Sequence, residues 1–369
     1  MKILIITLEY PPNIGGIASY VYNFTAHLPS DEVIVYAPKI KDDREYDAKN
    51  DWKTYRFNPY FKFLWPEWIR MFWQIRKIVK KEKIEKIYVH HALPAGYVAY
   101  LIKKFFKIPY YVFFHGTDLE VGLKKKLRKI KMVCNGAEKV VVSGEFLKNK
   151  LLARLENLQD KIVIVHPSPG DFFLIPQNPI ELETMRAKLA LKGKKVLISV
   201  GRMADGKGFP HMIRLLPKIL EKVPNLVWLV IGDGPKKDDL IKNIQKNYLQ
   251  NVARIMGFVP LEELPKYYQM ADAFVLLTHK DEGSEEGWGT AFLEASASGL
   301  PVIAGKVGGV EEVVENLVTG ILVDIYQDQG VVSAITELLK NSDYAKQMGE
   351  AGRQRVIQEF NWEKQISKL

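Results

Sequence analysis

Two cations and two carboxylates in the second half of the chain are spaced for holding a phosphorylated, hydroxyl-bearing ligand. Gly201-Arg202 closes a short apolar run, and Lys207 follows five residues on, between Gly206 and Gly208. Such a loop lets both side chains converge on a diphosphate, and the helix after it adds free N–H groups. Loop cations are also commonly just solvated, so this spacing alone leaves the reading open. Further on, Glu286 precedes Gly287-Trp288-Gly289, and a helical run from Thr290 carries Glu294. The glycines allow a ligand to approach the backbone at a helix N-terminus, where N–H donors are free. Carboxylates beside an anion site suit a ligand with both hydroxyls and phosphate, such as a sugar nucleotide. The plainer alternative has Glu286 capping the helix and Glu294 solvated.

These residues need strands that end beneath them. The run KILIITL (2–8) leads into the loop EYPPNIGG, and IASYVYNFTAHL (17–28) has helical spacing. Short apolar runs follow at 33–37, 86–91, 110–115, 139–143 and 161–166, with helical patterns between most of them. The same opening recurs at KKVLISVGRMADGKG (194–208), followed by runs at 226–234, 252–258, 273–278, 301–305 and 320–324. Alternation of this kind predicts parallel sheets covered on both faces. The expectation is an α/β chain of two Rossmann-like, doubly wound domains facing a central cleft, spanning 1–170 and 171–355. The Pro- and Gly-rich stretch 167–179 is the expected linker. Ligands in such folds collect beyond the carboxyl ends of the strands.

Composition narrows the class. The 369 residues are 47% hydrophobic and 26% charged, a globular balance. No run reaches the ~18 apolar residues of a spanning helix, and the apolar start is too short for a signal-peptide core. A cytoplasmic protein is expected. The single cysteine, Cys134, excludes an internal disulfide framework and a multi-thiolate zinc site. The net charge of +10 is lopsided: residues 1–170 hold 29 Lys and Arg against 17 Asp and Glu, and the remainder is slightly acidic. A basic half points to an anionic partner.

Taken jointly, the motifs resemble the retaining glycosyltransferases of family 4, which have the GT-B fold. They are G-R-x(4)-K after a strand, IGDGP (231–235), E-x(7)-E within EGWGTAFLEASASGLPVIA, then Gly308-Gly309 and NLVTGILVD. The first half adds Gly15-Gly16, HGTD (115–118) and VVSGEFLKNKL, and the C-terminus adds a helix around Phe360, Trp362 and Glu363. EASASGLPVIAG is nearest in wording to enzymes that move mannose from GDP-mannose onto lipid-linked acceptors.

The resemblance implies a nucleotide-sugar domain in the second half, an acceptor domain in the first, and a final helix (356–369) returning to the first. It implies that Arg202 and Lys207 bind the donor diphosphate and stabilise it on departure. Glu286 and the backbone of Gly287, Trp288, Gly289 and Thr290 would hold the transferred sugar, and Glu294 the ribose. His115 would lie by the donor sugar, Gly15 and Gly16 would admit donor phosphate and acceptor, and Phe258 and Val259 would border the base. No cofactor or metal is expected, and the chain independently lacks the D-x-D triplet that usually carries Mg²⁺ or Mn²⁺ on a sugar nucleotide. The activity implied is transfer of a hexose, with mannose from GDP-mannose as the specific expectation, in α linkage to a lipid-linked or glycan acceptor. The alternatives are a UDP-sugar-dependent transferase with a soluble acceptor, a phosphorylase or epimerase of the same fold, and a non-catalytic sugar-nucleotide sensor.

The basic half has its own pattern. Residues 60–83 combine aromatics with cations: Met71, Phe72, Ile75, Ile78 and Val79 recur at helical spacing, with Arg70, Arg76, Lys77, Lys80 and Lys81 between them. The segments 101–107 and 123–132 are also basic. The expectation is a surface resting on anionic lipid at the inner face of the cell membrane. The bland alternative is an apolar face buried in the core under solvated lysines. No nucleic-acid module is recognisable, so nucleic acid is not an expected partner.

Overall fold

The computed structural model describes the chain apart from Ile14, residues 59–65, Glu67 and residues 282–284; the side chains of Thr117, Asp118, Glu120 and Val121 are also not described. The aromatic residues expected at 60–65, residues 282–284 shortly before Glu286 and the side chains of Thr117 and Asp118 therefore lie outside the described part of the molecule. The chain forms two compact units, Met1–Pro167 with Trp362–Leu369, and Ser168–Asn361.

The first unit is built on β1 (Ile3–Ile6), β2 (Val33–Pro38), β3 (Lys53–Phe57), β4 (Lys86–Val89), β5 (Tyr110–Phe114), β6 (Lys139–Val142) and β7 (Ile162–Ile164). The order across its sheet is β3-β2-β1-β4-β5-β6-β7, all parallel. Residues such as Leu4, Ile6, Val89 and Val112 feed a core on one face, while Ile3, Ile5, Phe24 and Phe113 feed one on the other. That two-sided burial is why its central strands read as unbroken apolar runs.

The edge strand β3 has no such run. KTYRF alternates and is only partly buried, so no strand is expected there from hydrophobicity alone. Runs expected to continue through His91 and His115 stop sooner, with β4 ending at Val89 and β5 at Phe114. The histidines thus stand past the carboxyl ends of the strands. The short helix Trp362–Ile366 belongs to this unit: Trp362 is buried edge-on against Tyr20 and stacks on His27.

The second unit is built on β8 (Lys195–Val200), β9 (Leu226–Ile231), β10 (Ala253–Gly257), β11 (Ala273–Leu276), β12 (Val302–Gly305) and β13 (Gly320–Val323). Its order is β10-β9-β8-β11-β12-β13, again parallel. Winding reverses between β8 and β11, so the loops after those two strands meet. The stretch expected as a linker is largely packed on this unit, with Phe173 in the core against Tyr268.

The helix Ile69–Glu82 resolves the two readings of the basic segment in part. Met71, Ile75, Ile78 and Val79 are buried in the core, so most of the apolar face is unavailable to lipid. What remains outside is Trp73, 54% exposed, and Phe105, 63% exposed, each within 6.2 Å of Phe72. Arg76 lies over Trp73, and both Arg76 and Lys80 lie over Phe106. Among the described residues no helix is long and apolar enough to cross a membrane.

Candidate active site

Folding brings Lys207 and Glu286 into one ion pair. Lys207 lies in the loop after β8 and Glu286 in the loop after β11, so the pair spans the place where the winding reverses. Both side chains are partly covered, 27% and 17% exposed. Arg202, on the same loop as Lys207, is exposed, and no described carboxylate pairs with it. Glu286 does not cap the following helix, whose N-cap is Gly289.

Backbone contacts hold the loops in place. His279 N–H donates to Gly206 O at 2.9 Å, and Gly309 N–H donates to Glu286 O at 3.0 Å. Gly208 caps the helix Phe209–Leu220 at φ +78°, where an added Cβ would stand 2.1 Å from Leu277 O. The helix Thr290–Ala297 opens from Gly289 with no acidic residue in its first turn. Phe292 N–H donates to Gly289 O at 3.0 Å, and the N–H groups of Thr290 and Ala291 head the helix where an anion or hydroxyl is favoured. The Trp288 ring is buried edge-on to Phe360, so only the backbone of Trp288 is available to a ligand. At the end of β10, Phe258 is exposed and Val259 joins the core.

Glu294 lies one turn into the helix, and its carboxylate accepts a 3.0 Å hydrogen bond from Tyr268 OH. Burial pushes its pKa up to about 7, with Tyr268 pulling the other way. The folded carboxyl therefore holds its proton more tightly than the unfolded one. Its stabilising contribution is complete below the ordinary value near 4.5 and is lost as pH rises through about 7. Compared with wild type, Glu294→Gln is expected to gain melting temperature progressively between about pH 5 and 7.5. Calorimetry of both proteins across that range checks this; a difference independent of pH would contradict it.

In the first unit, His115 lies 4.9 Å from Tyr20 edge-on, with His90 at 5.5 Å and His91 at 6.3 Å. Burial, then the neighbouring His91, pushes its pKa down to about 3. It is a neutral hydrogen-bonding group near pH 7, not a cation. A Cβ on Gly16 would meet nothing within 4 Å, and one on Gly15 only Glu9 Oε2 at 3.5 Å. The protein's own packing does not demand glycine at either place, in contrast to Gly208.

A cavity of about 440 Å³ opens beside the Lys207 loop, lined by Gly206, Gly208, His211, Lys236, His279 and Asp281 among others. None of Arg202, Lys207, Glu286 and Glu294 lines it. Sequence reasoning passed over Tyr268, Glu9, His90 and His91. The doubled histidine at a strand end and the glutamate six residues before Gly15 were the available signals.

Comparison with known proteins identifies the class of the chain. The family description "Glycosyl transferases group 1" matches residues 181–355, and "Glycosyltransferase Family 4" matches residues 14–168. The chain is a glycosyltransferase of the GT-B fold. The transferase is 27% identical to the GDP-mannose-dependent alpha-(1-6)-phosphatidylinositol monomannoside mannosyltransferase of Mycolicibacterium smegmatis, over 99% of this chain and 96% of that one. It is 25% identical to the GDP-mannose-dependent monoacylated alpha-(1-6)-phosphatidylinositol monomannoside mannosyltransferase of Corynebacterium glutamicum, over 98% and 95%. In fold it is similar to Anabaena HepE in complex with UDP and glucose, at TM-score 0.83 and 18% identity over 100% and 98% of the two chains.

Proposed function

We propose that the transferase moves a hexose from a nucleoside-diphosphate sugar bound by the second unit to a hydroxyl of a lipid-linked or glycan acceptor bound by the first. The observation that carries this reading is the Lys207–Glu286 pair across the winding reversal, beside an exposed Arg202 with which no described carboxylate pairs. Two cations supply the charge that a departing diphosphate needs, so the reaction proceeds without a metal ion. The acceptor oxygen attacks the anomeric carbon on the face that the diphosphate leaves, and the acceptor's proton passes to a diphosphate oxygen. The α configuration is retained. Glu286 and the backbone at 287–290 hold the sugar, and Glu294 with Tyr268 meets the ribose. His115 contributes a neutral hydrogen bond, and the space beside Gly15 and Gly16 admits ligand. Phe258 and Val259 border the base.

GDP-mannose is the proposed donor, in keeping with the mannosyltransferase relatives. GDP, UDP and ADP compared by thermal shift test it. A nucleotide present at 100 times its Kd stabilises by about 2.7 kcal/mol, so GDP is expected to raise the melting temperature of this unit by about 5–10 °C. A larger shift with UDP would move the proposal to a UDP-sugar. Binding without nucleoside diphosphate release, with acceptor supplied, would favour a sensor instead.

The first unit's place is proposed at the inner face of the cell membrane. Trp73 and Phe105 would sit at the headgroup boundary, with Arg76 and Lys80 on the anionic lipid. The protein is expected to sediment with phosphatidylserine-containing vesicles, less so at raised salt, and weakly with neutral ones. Reversing Arg76, Lys77, Lys80 and Lys81 to Glu should abolish sedimentation yet spare transfer to a soluble acceptor. Equal sedimentation with both vesicles, or none, would contradict the proposal.

A further inference from the structure

The sheet of the first unit also reverses its winding, between β1 and β4. Glu9 lies just past β1 and His91 just past β4, so these two residues stand across that reversal. Thr7, fully buried, fixes the backbone of Glu9: its Oγ1 donates to Glu9 O at 2.6 Å and accepts from Glu9 N–H at 3.1 Å.

His91 is held from the other side. Its Nδ1 accepts a 3.3 Å hydrogen bond from Leu8 N–H, which leaves the ring proton of the neutral imidazole on Nε2. That Nε2 is buried, makes no hydrogen bond among the described residues, and points at Glu9 Oε1 from 3.7 Å. The carboxylate itself is 47% exposed. Its other oxygen faces Gly15, and the space beside Gly16 is open. No described Lys or Arg pairs with Glu9, although this is the strongly basic half of the chain.

We propose that Glu9 is a hydroxyl-binding residue of the acceptor site and that His91 is its positioning residue. An ionised carboxylate accepts hydrogen bonds and offers none, so it selects a neutral polyol hydroxyl and repels a phosphate or carboxylate at the same point. The imidazole N–H turns one oxygen inward and leaves the other for the acceptor. The inference rests on the first unit being the acceptor side of a transferase, as proposed above.

The test uses the full chain with GDP-mannose, or with UDP-glucose if UDP gives the larger thermal shift, and methyl α-mannoside as acceptor. Three quantities are measured: acceptor kcat/KM, donor hydrolysis without acceptor, and nucleoside diphosphate Kd. Glu9→Gln is expected to lower acceptor kcat/KM by about ten- to a hundredfold. Hydrolysis and nucleotide affinity should stay within about twofold, and His91→Phe should show the same split more weakly. His91→Gln, which keeps an N–H donor, should retain more acceptor efficiency than His91→Phe. Undiminished acceptor kinetics in Glu9→Gln would overturn the inference, and so would an equal fall in all three quantities. A wild type that binds nucleotide yet neither hydrolyses nor transfers would instead sink the transferase reading and take this inference with it.

Discussion

Lys207→Ala is expected to cut donor kcat/KM by about ten- to a hundredfold while moving the melting temperature by no more than about 2 °C. A charge-assisted hydrogen bond contributes about 1.5–3 kcal/mol, which converts directly into that range. The fold is spared because Lys207 is a loop side chain that leaves part of its surface in water. Its loss also strips Glu286 of its partner, leaving a carboxylate that opposes an incoming diphosphate. Removing that charge as well should therefore hurt less than removing it from the wild type. In a double-mutant cycle, Glu286→Gln is expected to cost less in the Lys207→Ala background than alone. Additive losses would show that the two residues act separately. Unchanged kcat/KM in Lys207→Ala would remove this lysine from the donor site.

Gly208→Ala is expected to act on the fold first. A residue other than glycine at φ +78° is strained, and here the new methyl would meet the backbone carbonyl of Leu277 at 2.1 Å. Backbone cannot swing aside as a flexible side chain does. A cost of at least about 2 kcal/mol follows, or about 4–8 °C in a unit of this size. Gly193 is the control: its φ is +70°, but a Cβ there meets nothing within 4 Å. Gly193→Ala should therefore lose about 1–2 kcal/mol from conformation alone. Calorimetry of the two variants compares them directly. Equal losses would mean that the loop yields and the close approach to Leu277 is inconsequential.

The fold was legible wherever burial on both faces imposed a continuous apolar run, as in LVWLVI and YYVFF. It was not legible at KTYRF, because this edge strand carries Lys53 out to solvent and a covered Arg56 that is paired with Asp47, so no apolar run forms. The cations and carboxylates of the site were legible as separate loops, not as partners. Lys207 and Glu286 are far apart in the chain, and only the reversal between β8 and β11 makes their loops neighbours. The pairing of Glu9 with His91 was hidden for the same reason. In the helix Ile69–Glu82, periodicity identified an apolar face and could not say that the sheet, not lipid, covers it. A resemblance to known sequences pointed to residues by motif, yet it carried no information about Tyr268 beneath Glu294.

Trp362 has a consequence for how the protein is made. It is 1% exposed in the core of the first unit, yet the whole of the second unit, Ser168–Asn361, precedes it on the chain. At about 5–20 residues per second, a ribosome needs about 10–40 s to traverse that stretch. Throughout that interval Tyr20 and His27, in and just after the helix Gly16–Ala26 of the earlier-made unit, have no indole to lie against. The second unit's own core closes only with Phe360, two residues before Trp362. Completion of the unit begun first is thus deferred to the moment at which the unit begun second is completed, and until then the nascent first unit lacks the side chain that covers Tyr20.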